Sequence, residues 1–161
     1  PDKKETTAPL TSLATLNAEF GRSRTSLGAT AIHTDILSNE IKRMIALAAN
    51  NVEKCFDAVL NTDSSSIKEI KETEETIDSL NKEISQYISR ILIHNNSGEN
   101  VADIEQYFLI TGNAERIGDH ALNIGGYVDV IKRKDIVFSD GAKEEIDTMK
   151  NITKKVIIIN K

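Results

Sequence analysis

Hydrophobic positions recur at helical spacing in three long stretches of the chain. The patterns run from about residue 30 to 60, from 67 to 91, and from about 99 to 132, and spacings of three and four residues place side chains on one helix face. The connections "NTDSSS" and "HNNSGEN" carry serine caps, Asn and Gly. Three long helices with short connections fold back on one another, so the pattern predicts an all-α, antiparallel up-down bundle.

The pattern also divides the chain. Residues 1–28 are predicted to form an N-terminal tether or short helix, 29–135 a three-helix bundle, and 136–161 the start of a further helix that the chain does not finish. The apolar residues of the tether are unfavourable when exposed to water, so we expect them to pack on the outside of the bundle or to exchange with another copy of the chain. They are Leu10, Leu13, Leu16 and Phe20.

The third helix carries a second apolar face at seven-residue spacing, formed by Ile110, Ile117, Ile124 and Ile131. Two apolar faces predict that this helix is the central one. Its glycines lower helix propensity by up to about 1 kcal/mol each. We expect them to allow close helix approach or to leave room for a ligand. They are Gly112, Gly118, Gly125 and Gly126.

The composition and charge of the chain exclude some classes of function. The net charge is -5 and no basic run is interleaved with aromatic residues, which excludes a broad nucleic-acid interface. No apolar stretch approaches the roughly 20 residues that span a bilayer. The single cysteine, Cys55, lies in an apolar run and is expected to be a buried hydrophobe in a reducing compartment. These features predict a cytoplasmic protein without a membrane span of its own.

Acidic residues interrupt the apolar stripes of two helices. Glu115 and Asp119 share a predicted inward stripe with Val101, Ile104, Phe108, Thr111 and Leu122. In the second helix, Glu74 lies on the isoleucine face and Asp78 borders it. Residues four apart lie about 6 Å apart on one face, and buried carboxylates need a cation, a basic side chain or water. Four hard oxygen donors suit Mg, Ca, Mn or Fe; the alternative is a solvated face that pairs with Lys or Arg.

Two segments resemble the PhoU family of phosphate-uptake regulators. "AERIGDHALNIGGYV" (114–128) resembles the third-helix signature of that family, and "DSSSIKEIKETEETIDSLNKEI" (63–84) is similar to its second helix. "LNAEFGRSRTSLGATA" (16–31) is similar to the junction that follows the membrane part of bacterial sodium/phosphate cotransporters, although Asn17 stands where an Asp is usual. The resemblance implies a three-helix repeat, followed by the opening helix of a second one.

The resemblance implies a regulatory or accessory domain of phosphate transport or sensing that is not an enzyme. Its expected partner is a membrane transporter domain or a signalling protein, with a homodimer as a further state and an inner-membrane tether if a transporter precedes it. It also implies that Glu115, Asp119, Glu74 and Asp78 hold a multinuclear metal cluster on the bundle surface, commonly iron, which a second repeat is expected to complete. The alternatives are a free-standing PhoU-type regulator, a di-metal oxidase and a structural helical linker. An oxidase would need Glu-x-x-His, whereas Gly118 stands three residues after Glu115.

Overall fold

The computed structural model of the protein describes residues 27–94 and 101–159, with side chains described for 35–90, 92 and 104–157. All regular structure in these ranges is helical, which confirms the predicted all-α fold. The elements are α1 (Leu27–Asn61), a 3-10 turn (Ser64–Ser66), α2 (Ile67–His94), α3 (Val101–Gly125), α4 (Tyr127–Arg133) and α5 (Asp140–Ile159). Apart from the start of α1, the predicted tether at 1–28 lies outside the described residues.

A tight connection makes α1 and α2 antiparallel. Its cap is Asp63, which accepts hydrogen bonds from the backbone N–H of Ser65 at 2.9 Å and from the hydroxyls of Ser65 and Ser66, each at 2.6 Å. The hydroxyl of Ser65, followed by that of Ser66, stabilises the charged carboxylate and lowers the pKa of Asp63 to about 2. The serines therefore donate to the cap, whereas the sequence pattern assigned the capping role to them.

Helix α1 is the centre of the bundle, since it packs against α2, α3 and α5. The prediction of a central third helix is wrong, because α5 returns onto α1. Among the described residues, α3 has α1 and α2 as its main long-helix neighbours. The second apolar face of α3 is accordingly only half-buried at Ile110, Ile117 and Ile124. The predicted third helix also breaks at Gly126, so that Ile131 belongs to α4, where it is buried.

The core lies between α1 and α2 and continues onto α3. The isoleucine face predicted for α2 is buried wherever its apolar side chains are described, except for half-buried Ile67. The buried polar residues of the described ranges include Asn51, which is 0% exposed and donates its Nδ2–H to the backbone carbonyl of Ile70 at 3.0 Å. This bond ties α1 to the first turn of α2, because a buried amide needs a partner.

The last helix is held on α1 by ion pairs and one fully packed end. Lys150 donates to Asp57 at 2.9 Å, Lys154 donates to Glu53 at 2.6 Å, and Ile157 is buried. The other side of α5 leaves Met149, Ile152 and Val156 more than half exposed. Helix α5 is therefore anchored along one face while its apolar outer face is open.

Candidate functional site

Close packing of α2 and α3 brings the four predicted acids together. A Cβ on Gly118 would lie 3.2 Å from Cδ1 of Ile77, and a Cβ on Gly125 would lie 3.5 Å from Cδ1 of both Ile67 and Ile70. The two helices therefore run antiparallel, with Gly118 of α3 level with Ile77 of α2. At that level the adjacent positions carry acids: Glu74 and Asp78 on α2, and Glu115 and Asp119 on α3. These four residues form the acidic patch.

The charges in the acidic patch act on one another. Partial burial, followed by the negative charges of Asp119 and Asp78, raises the pKa of Glu74 above its ordinary value. Partial burial and the same two charges also raise the pKa of Glu115. In both cases a hydrogen bond with Asp119 contributes to the rise, since the protonated glutamic acid can donate to that carboxylate. Asp119 therefore acts on the pKa of a glutamate on each of the two helices.

The acidic patch lies at the surface beside the helix seam. Asp119 is exposed, whereas Glu74, Asp78 and Glu115 are half-buried. The prediction that Glu115 and Asp119 lie on an inward stripe is therefore wrong for Asp119 and only partly right for Glu115. Phe108, predicted on the same stripe, is 52% exposed.

The buried stripe of α3 includes two of the predicted positions, Ile104 and Thr111, but from Ala114 onward it lies one position before the predicted stripe and is built from small residues. Ala114 and Ala121 are almost fully buried, and Gly118 and Gly125 are buried between them. A count of large apolar side chains overlooks such a stripe, because small residues contribute little hydrophobicity while allowing two backbones to approach closely.

One basic side chain offsets part of the negative charge. Lys82 donates from Nζ to Asp78 at 2.6 Å, one turn along α2, and the hydrogen bond and charge of Asp78 raise the pKa of Lys82. Arg116 lies beside Glu115 and its charge only partly opposes the rise in the pKa of that residue. Lys82 was missed by the sequence analysis, although its position four residues after Asp78 is the spacing of a helical ion pair.

The other candidate ligands in the described residues are His120 and Cys55. His120 is exposed, and burial raises the pKa of the Cys55 thiol to about 12. Cys55 is 0% exposed and donates from Sγ to the carbonyl of Val52, which confirms it as a buried hydrophobe. Within the described ranges, no group of three or more His, Cys, Asp or Glu side chains is arranged to hold a metal ion. The acidic patch therefore supplies suitable donors without a preformed coordination geometry.

A model of a known domain family matches the part of the chain that contains the acidic patch. The PhoU domain model matches residues 41–128, which is more than half of the chain and includes all four acids of the patch. This chain belongs to the PhoU domain family. The resemblance drawn from the two helix motifs is thereby confirmed. None of the described PhoU helices has the length and apolar character needed to cross a membrane.

Individual PhoU proteins are also similar to the chain, at modest sequence identity. Two proteins of Xylella fastidiosa, from strains Temecula1 and 9a5c, are each 31% identical to the chain over 88 residues. Each is described as a phosphate-specific transport system accessory protein PhoU homolog. The matched region is 55% of this chain and 37% of each relative, so the chain spans well under half the length of these relatives. No solved structure matches the chain significantly.

Proposed function

We propose that this PhoU domain is a regulatory or accessory domain of phosphate transport, acting as a binding module and not as an enzyme. The observation that carries the proposal is the family match over residues 41–128, which encloses the acidic patch. The role in the names of the relatives, accessory to a phosphate-specific transport system, supports the same function here. The described helices also offer exposed apolar side chains, such as those of α5, for contact with a partner.

A divalent or ferric cation is part of this proposal. Glu74, Asp78, Glu115 and Asp119 would supply its oxygen ligands, because carboxylates are the donors that hard cations prefer. The donor chemistry fits: partial burial, followed by the negative charges of Asp119 and Asp78, raises the pKa of both glutamates, and a cation relieves the part that is due to charge repulsion. Iron is the metal that the family resemblance implies. Bound there, the cation would join α2 to α3 or to a partner's acidic face.

The proposed partner is a phosphate transporter, and the finer proposal is a sodium-dependent transporter in the same polypeptide. The cotransporter-like junction at residues 16–31 supports this link. In that arrangement the domain would lie on the cytoplasmic side of the inner membrane. A free-standing regulator is the alternative that the relatives' names favour. Fractionation of the native host separates the two. A tethered domain stays with the membrane after high-salt washing, whereas a free-standing regulator is released.

Phosphate uptake tests the function. The host gene is deleted and then restored as wild type, as Asp119→Asn, or as Asp129→Asn, which removes an exposed aspartate on α4 away from the acidic patch. Uptake of radiolabelled phosphate is measured at low and high external phosphate. We expect the deletion and Asp119→Asn to lose the adjustment of uptake to external phosphate, and wild type and Asp129→Asn to retain it. Unchanged uptake in the deletion strain would contradict the proposed function.

A further inference from the structure

An open apolar cleft lies between the C-terminal part of α2 and the N-terminal part of α3. Its floor is formed by Ile88, Leu92, Ile104, Phe108 and Leu109, and its volume is about 430 Å³. Leu92, Phe108 and Leu109 are 42%, 52% and 65% exposed. Large apolar side chains that are grouped and exposed in this way mark a surface that another segment covers.

We propose that this apolar cleft is the docking site for residues 10–20 of the same chain. Residues 10–20 carry Leu10, Leu13, Leu16 and Phe20, which fall within roughly 120° of the circumference of a helix. Such a segment has one apolar face and one polar face. An apolar face of that width matches a cleft between two helices, where it contacts both walls.

The connectivity places this segment at the correct end of the bundle. Because α1, α2 and α3 are antiparallel, α1 begins at Leu27 at the same end where α2 finishes and α3 starts. Residues 21–26 ("GRSRTS") lie between Phe20 and α1 and have the Gly and Ser content of a chain reversal. Six residues span up to about 20 Å when extended, which is enough to turn back onto the neighbouring helices.

The length of residues 10–20 and the charges that follow them also favour this segment as the occupant of the apolar cleft. A helix of residues 10–20 is about 16 Å long. The five helical steps from Ile104 to Leu109 rise about 8 Å, so a helix of residues 10–20 is long enough to cover the cleft along its whole length. Glu105 lies on the exposed rim of the cleft. Arg22 and Arg24 follow Phe20 by two and four residues in the sequence. In the proposed docked arrangement, this order would bring opposite charges together at that end of the bundle.

Thermal unfolding of the full chain tests the docking. Leu13→Asp combined with Leu16→Asp places charge on the apolar face of the segment. The matched control, Thr11→Asp combined with Thr15→Asp, adds the same charge on its opposite face. We expect the leucine pair to lower Tm by about 4 to 8 °C and the threonine pair to change it by less than about 2 °C.

A second pair of substitutions identifies the cleft as the binding surface. Phe108→Asp combined with Leu109→Asp is expected to lower Tm. Adding Leu13→Asp and Leu16→Asp to that pair is expected to lower Tm no further, because both pairs remove the same contact between the segment and the cleft. Additive losses, or leucine substitutions without effect, would overturn the proposal. Sedimentation at several concentrations excludes a second copy as the occupant: a monomer is expected, and a dimer that the leucine pair dissociates would also overturn it.

Discussion

The packing of α2 against α3 can be tested with the same substitution at two glycines of one helix. At Gly112 a Cβ would meet no atom within 4 Å, whereas at Gly118 it would lie 3.2 Å from Cδ1 of Ile77, which is 0% exposed. Replacing a helical glycine by leucine gains roughly 0.5 to 1 kcal/mol of helix propensity. Extra methylenes in a packed seam cost about 1 to 3 kcal/mol, and sometimes more. We therefore expect Gly112→Leu to stabilise the protein and Gly118→Leu to destabilise it.

Urea unfolding followed by circular dichroism measures the difference between the two variants. It is expected at about 1 to 3 kcal/mol, because the gain in helix propensity is common to both and only the packing cost differs. Ile77→Ala alone is expected to cost about 2 to 5 kcal/mol, because it leaves a cavity. Combined with Gly118→Leu, it should cost less than the sum of the two single changes, since the new leucine fills that cavity. Equal stability of Gly112→Leu and Gly118→Leu, or strict additivity of the double variant, would refute the close approach of α2 and α3 at this level.

Three further predictions concern the acidic patch, the core amide and the last helix. Because the folded-state pKa of Glu115 is raised from 4.5, the contribution of Glu115 to stability is lost as the pH rises above that value. In melts across pH, chelator-treated Glu115→Gln should therefore gain a few tenths of a kcal/mol over wild type at neutral pH and lose this gain near pH 4.5, unlike Glu72→Gln. Asn51→Ala should cost about 1 to 3 kcal/mol in urea unfolding, because the buried carbonyl of Ile70 loses a donor, and no measurable cost would contradict this. Lys150→Ala should cost about 1 kcal/mol and speed hydrogen exchange in α5 before that in α1, whereas equal acceleration in both helices would argue against a separately anchored α5.

The helices were predictable because their apolar positions repeat over many turns. The isoleucines of α2 mark its buried face, and the polar connection after α1 marks a turn. The central helix was not predictable in the same way, since the position of α5 on α1 depends on contacts between residues about a hundred positions apart, such as Lys154 with Glu53. A periodic pattern reports which face is apolar but not which neighbour covers it.

The convergence of the acids was predictable, while helical spacing alone could not predict their depth; the surface position was implied only by the family resemblance. Spacing of four residues placed Glu115 beside Asp119 and Glu74 beside Asp78 on their helices, and the resemblance paired the two helices. The depth of Asp119 depends on which stripe of α3 faces α2. That stripe is defined by Gly118 and its small neighbours, whose contribution is close backbone approach and not hydrophobicity.

Cation-dependent stability most directly tests the claim that the acidic patch is a binding site. Thermal melts of the chelator-treated wild type, Asp119→Asn and Asp129→Asn are compared without metal and with Fe, Mn, Ni or Zn. A cation at 100 times its Kd stabilises the native state by about 2.7 kcal/mol, which corresponds to a rise in Tm of roughly 5 to 11 °C for a chain of this size. We predict that rise with at least one metal for wild type and Asp129→Asn and its loss in Asp119→Asn; equal melts of all three proteins under every condition would contradict the account.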